Sequence, residues 1–150
     1  MAAEYFAVAQ QTINLNSPAV FTASIPCRRG YVYHEDETGI FILRGITNQC
    51  FATYQVTFNG NIAISEGGAV SPIALALAVN GEQRPANKSI VTPAAAGDFN
   101  NVTCTGIIRV PRGCCFSVAV EYVSGITGGT GTPTPTIDML NGNLTISRIS

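Results

Sequence analysis

The sequence predicts an all-β protein, an antiparallel β-sandwich or barrel. Three observations carry that expectation. Apolar and polar residues alternate with a period of two through several segments. Asn-Gly pairs, which tolerate the positive φ angles of hairpin turns, sit between apolar runs. No window of convincing length has the helical period. The 150 residues suit one domain.

In chain order, the first dozen residues fit a short helix, an extended arm or a first strand. The runs Tyr31–Tyr33 and Ile40–Leu43 flank HEDETG, which looks like a polar loop tip; Ile40–Leu43 is apolar on both faces. In CFATYQVTF, Ala52, Tyr54, Val56 and Phe58 alternate with Thr53, Gln55 and Thr57. In IALALAV, Ile73, Leu75, Leu77 and Val79 oppose Ala74, Ala76 and Ala78, as in a strand buried on both sides. The alanine row implies close approach by another surface, either a partner or a further layer of the same chain. Val102, Cys104, Gly106, Ile108 and Val110 share one face of the next strand; Cys114, Phe116, Val118, Val120 and Tyr122 share one face of the one after. Ser124 to Thr136, rich in Gly, Thr and Pro, reads as a long loop. Leu144 and Ile146 begin a last strand that leaves the core at Arg148. Asn59-Gly60, Asn80-Gly81 and Asn141-Gly142 mark hairpins, and Pro18, Pro26, Pro72, Pro85, Pro93 and Pro111 mark strand margins. The spacing predicts about eight to ten strands.

Composition limits function. Charged residues make up 11% of the chain and hydrophobic ones 46%, against about 25% charged in ordinary soluble domains. Lys88 is the only lysine, and the net charge of −1 offers no field for nucleic acid or an anionic membrane. So little charge at a mean hydropathy of +0.25 predicts that partners, most cheaply identical copies, cover part of the surface and that Thr, Ser, Asn and Gln carry the solvation of the rest. The apolar run Ile73–Val79 is far shorter than the roughly 18 residues of a spanning helix. MAAEYFAVAQ has neither a basic start nor a continuous apolar core, so no signal peptide is expected and synthesis in a reducing cytoplasm is. Five cysteines, Cys27, Cys50, Cys104, Cys114 and Cys115, are then expected as small buried hydrophobes.

Catalytic chemistry has few residues to use. His34 is the only histidine, so a Ser-His-Asp or Cys-His mechanism must run through it. HEDET breaks the zinc-protease pattern at Thr38, and GGTG at 128–131 lacks the Gly-Lys-Ser/Thr of a phosphate loop. Glu35, Asp36 and Glu37 diverge along an extended chain and read as a solvated turn rather than a cation site. Arg28 and Arg29, the only basic pair, read as a solvated strand start. The three glycosylation sequons at Asn87, Asn101 and Asn143 carry no meaning without secretion. No catalytic residue, metal or cofactor is expected.

Several segments, RGYVYHEDETGIFILRG, FNGNIAISEGGAVSPIALALAVNGE, SIVTPAAAGDFNNVT, VPRGCCFSVAVEYVS and NGNLTISRI, together resemble the C-terminal domain of collagen-like spore-surface glycoproteins. That domain is one of the tumour-necrosis-factor and complement-like jelly rolls. Stand-alone proteins of this type are similar to virion decoration or head-fibre proteins of gut phages and to proteins of gut Firmicutes. The resemblance implies a ten-strand-type jelly roll forming a homotrimer, with Leu144–Ile149 in an inner sheet near the three-fold axis, and no enzymatic site. The family's collagen-like stalk is missing here, which implies attachment through residues 1–26, with Tyr5, Phe6 and Val8 as contacts, or through a face of the trimer; residues 27–150 would be the jelly roll. Phe116, Val118, Val120, Tyr122, Leu144 and Ile146 are expected in the trimer interface or the core. The leading expectation is a non-enzymatic bacteriophage virion protein, a capsid decoration or head-fibre knob bound to a capsid or other virion protein and assembled in the host cytoplasm. The alternatives are a bacterial spore-surface protein and a receptor-binding module. In the latter, His34, Glu35, Asp36, Thr127, Thr130 and Thr132 would contact a host glycan or protein.

Overall fold

The computed structural model describes residues 2–25, 30–34, 37–124 and 135–150. They form eleven strands: β1 (Ala2–Ala7), β2 (Gln11–Ile13), β3 (Ala23–Ile25), β4 (Val32–His34), β5 (Phe41–Arg44), β6 (Phe51–Ile64), β7 (Ile73–Val79), β8 (Glu82–Val91), β9 (Asn100–Pro111), β10 (Cys115–Ser124) and β11 (Ile137–Arg148). The count exceeds the expectation because three of the strands are only three residues long.

Two antiparallel sheets face each other. One has the order β3-β1-β11-β6-β9, with β2 also paired to β11; the other has the order β4-β5-β10-β7-β8. Alternation decides what lies between them. Tyr54, Val56 and Phe58 of β6 point inward and are fully buried, as are Leu144 and Ile146 of β11. From the opposite sheet, Leu75 and Leu77 of β7 and Val118, Val120 and Tyr122 of β10 meet them. Phe21 and Phe41 extend this core through edge-to-face contacts, 5.4 Å between their ring centroids. Among the described residues no polar or charged residue is fully buried, so burial stabilises the sandwich without a charge-desolvation cost.

The N-terminal residues are strands, not a helix or a free arm. Tyr5, Ala3 and Ala7 face inward and β1 is hydrogen-bonded on both sides, to β11 and β3. β1, β2 and β3 therefore belong to the six-stranded sheet. Between β2 and β3 the chain touches the other sheet: Asn16 and Ala19 donate backbone N–H groups to Tyr122 and Val120, beside the stretch of β10 that β5 leaves unpaired.

Only one Asn-Gly pair makes a hairpin. Asn80 and Gly81, with φ of 52° and 81°, join β7 to β8 between paired Val79 and Glu82. Asn59-Gly60 instead runs through the middle of β6. Asn141-Gly142 forms a β-bulge opposite it, two residues against one, with Asn141 at φ 56°. The glycines answer a packing demand. A Cβ on Gly60 would lie 2.7 Å from Phe58 Cζ, and one on Gly142 would lie 2.6 Å from Met139 Cε.

Two other expectations change. Ile40–Leu43 is not buried on both faces: Phe41 and Leu43 are buried, while Ile40 is 49% exposed, because β5 faces solvent on its outer side. Ala74, Ala76 and Ala78 are buried within this chain, Ala74 and Ala76 clustering with Val123 of β10.

Candidate functional site

The six-stranded sheet presents a broad outward face made by the positions that alternate with the core. Register places three rows across β1, β11, β6 and β9: Phe6–Asn143–Asn59–Thr103, Glu4–Thr145–Thr57–Thr105 and Ala2–Ser147–Gln55–Ile107. All twelve positions are exposed or half-buried. One of them is ionisable, Glu4 on β1, and its carboxylate accepts a hydrogen bond from Asn143. The remaining polar groups are hydroxyls and amides, several of which bond to one another: Thr57 with Thr105 at 3.1 Å, and Asn59 Oδ1 accepting from Thr103 Oγ1 at 3.2 Å and from the neighbouring Asn101 Nδ2 at 2.8 Å. These groups cost far less to desolvate than charges. At one end Arg109 lies over the ring of the exposed Phe51, 4.3 Å from its centroid.

The β9 edge of this sheet is partly covered. Four residues of β8, Arg84 to Asn87, bulge out between the Ala76–Lys88 and Ala78–Gln83 pairs. Pro85 sits in this bulge, where its missing N–H costs no ladder bond. From the bulge, Asn87 Nδ2 donates to Thr105 O at 2.8 Å and Arg84 Nη1 donates to Ile107 O at 3.3 Å. Side chains thereby take carbonyls of β9 that would otherwise template another strand. Gly106 lets Asn87 approach, since a Cβ there would lie 2.8 Å from Asn87 Oδ1.

The residues predicted from sequence fall in several places. Val118, Val120, Tyr122, Leu144 and Ile146 are core, sealed between the two sheets and not available to another subunit. Phe116 is half-buried and packs against that core. Tyr5 is core as well, 4.6 Å from the Phe41 ring, so it cannot serve as an attachment residue; Phe6 is half-buried on the outward face and Val8 is 65% exposed. His34 is no loop tip. It ends β4 in step with buried Val32, stacks on Phe41 at 4.4 Å and shares a hydrogen bond of 2.8 Å with Thr38 O. Glu35, Asp36, Thr127, Thr130 and Thr132 lie outside the described residues, as do Cys27, Arg28 and Arg29.

Buried cysteines were expected, yet only Cys104 of the four described ones is buried; Cys50, Cys114 and Cys115 are exposed, because they sit in or beside the turns at one end of the sandwich. Burial pushes the Cys104 thiol up to about 11, and its Sγ donates to Leu75 O. Burial also pushes the Tyr122 phenol up to about 12; its hydroxyl donates to Pro135 O at 2.7 Å. Both groups are therefore neutral near pH 7, and neither has a nucleophile–base partner. Among the described residues no cluster of three His, Cys, Asp or Glu side chains could hold a metal ion, and no helix is long and apolar enough to cross a membrane.

The fold recurs in solved structures. The globular domain of zebrafish complement 1qA protein superposes with a TM-score of 0.62 at 12% identity, covering 99% of this chain and 97% of that one. Eiger TNF from S. frugiperda gives 0.65 at 9% identity, covering 100% and 92%, and murine APRIL gives 0.52 at 11%, covering 96% and 98%. No protein-family model and no curated protein sequence matches the chain. The fold is thus the antiparallel jelly roll of the tumour-necrosis-factor and complement 1q domains.

Proposed function

We propose that this protein is a non-enzymatic structural component that works as a homotrimer, joined through the outward face of its six-stranded sheet. The uncharged character of that face supports the reading most: three rows of residues across four strands hold one ionisable side chain. A chain with so few charges gains most by covering this face with copies of itself, since hydroxyls and amides already bonded to each other lose little when water leaves. β11, which runs through the middle of the face between β1 and β6, lies nearest the axis.

The finer reading is a bacteriophage virion protein, a capsid decoration or head-fibre knob. It is supported by the resemblance of the segments from Arg29 onward to stand-alone jelly rolls of phage particles. Its work is binding: one surface joins sister copies and another meets the particle.

Thr57 lies in the middle row of the proposed interface, and Thr57→Glu places a like charge from each subunit there. The variant is expected to elute as a folded monomer while the parent elutes as a trimer. A Thr57→Glu protein that stays trimeric would remove this face from the account. Cryo-electron microscopy of the native particle, with density for a three-fold knob on the capsid, tests the virion role; a chain absent from purified particles would overturn it.

A further inference from the structure

The opposite side of the molecule carries a cleft of about 260 Å3. Its floor is Ala76 of β7 and Val123 of β10, one wall is Leu15 and Asn16, and the other is Gln83, Arg84, Pro85 and Lys88 of β8. The floor is deep because alanine removes bulk from the middle of a sheet. The walls are tied together: Gln83 Nε2 donates to Asn16 Oδ1 at 3.0 Å and to Glu121 Oε2 at 3.1 Å. That bond engages the carboxylate of Glu121, the residue paired with Ala76 on the β10 side.

Two cations, Arg84 and Lys88, border a cleft whose floor is apolar and whose walls also carry the amides of Asn16 and Gln83. Arg84 uses one guanidinium nitrogen to hold Ile107 O. Lys88, paired with Ala76 across the strands, forms no ion pair among the described residues. The protein's one lysine thus lines the cleft beside Ala76 and Val123, with no ion pair among the described residues. We propose that this cleft binds a small organic carboxylate, its apolar body on Ala76 and Val123 and its anionic end between Lys88 and Arg84. A cavity of about 150 Å3 holds benzene, so this cleft takes a ligand of roughly ten non-hydrogen atoms. It sits on the five-stranded sheet and stays open when the six-stranded sheet self-associates. It goes beyond the proposed function and does not rest on it.

The test is a titration of the 15N-labelled full-length chain by NMR with 3-phenylpropionate, and with 3-phenylpropanol as the uncharged probe of the same shape. The acid is expected to shift the amides of Leu15, Ala76, Lys88 and Val123 in a saturable way, with the alcohol about tenfold weaker. Lys88→Gln, a substitution at a half-buried surface position, is expected to bring acid and alcohol within about twofold of each other. Ala76→Leu, which fills the floor, is expected to block both. Shifts that do not saturate, shifts centred elsewhere, equal binding of acid and alcohol, or an unchanged preference in Lys88→Gln would each overturn the proposal.

Discussion

Tyr54 ties the two sheets together at one end of the sandwich, and removing its hydroxyl measures that tie. The side chain projects inward from β6 and is fully buried. Its Oη donates to Arg44 O at 2.5 Å, at the end of β5, and approaches Tyr31 O at 3.3 Å, beside the start of β4. Tyr54→Phe keeps the ring and its packing and removes only the donor. The carbonyls then lose a partner in a place that water does not easily reach, which costs about 1–3 kcal/mol. For a domain of this length each kcal/mol lowers the melting temperature by about 2–4 °C, so a loss near the middle of that range means about 4–8 °C. Differential scanning calorimetry at one fixed protein concentration reads it, because self-association makes the midpoint depend on concentration. Tyr33→Phe is the control: Tyr33 is 55% exposed on the outer side of β4 and its variant should stay within about 0.5 kcal/mol of the parent. A Tyr54→Phe midpoint within about 1 °C of the parent would refute the inference that this hydroxyl links the sheets.

Other expectations follow from the same packing. Cys104 has its folded-state thiol raised from 9.0 to about 11 by burial, so the folded protein holds that proton where the unfolded chain releases it. Stability is then complete below pH 9 and falls as pH rises from 9 toward 11, by up to about 3 kcal/mol, with Tyr122 adding to the loss above pH 10. Urea midpoints across that range should decline less steeply in Cys104→Ala, and mass-mapped alkylation of the native protein should modify Cys50, Cys114 and Cys115 but not Cys104. Gly60→Ala drives a methyl group toward the buried Phe58 ring and should cost about 1–3 kcal/mol in a denaturant titration. Asn87→Ala frees the Thr105 carbonyl on the outer edge of β9 and should raise light scattering on mild heating, with little change in the unfolding midpoint.

Much of the sandwich was legible as alternation, and the reasons for the rest are physical. β6, β7, β9 and β10 announce themselves because each buries one face and the period of two follows. β1 was hidden because Phe6, an apolar residue, occupies the outward face between inward Tyr5 and Ala7 and blurs the period. Asn141-Gly142 misled because a bulge and a hairpin turn ask for the same positive φ at asparagine. Asn59-Gly60 misled for another reason: its glycine is required by a Phe58 ring packed against it, a tertiary demand that local sequence does not carry. The inward residues of β10 and β11 were read as apolar, but apolar residues alone do not tell a core from an interface. The face that remains outside is visible in the sequence only as Thr, Asn, Gln and Ser between them; its continuity across four strands exists only once the register is known. Exposed Cys50, Cys114 and Cys115 were missed because residue type sets a preference for burial while the turn geometry sets the outcome.

Native mass spectrometry of the purified chain, sprayed from a volatile buffer near neutral pH, tests self-association most directly. A dominant species at three times the 15.7 kDa chain mass is the predicted result. A folded protein that remains at one chain mass at micromolar concentration would contradict it.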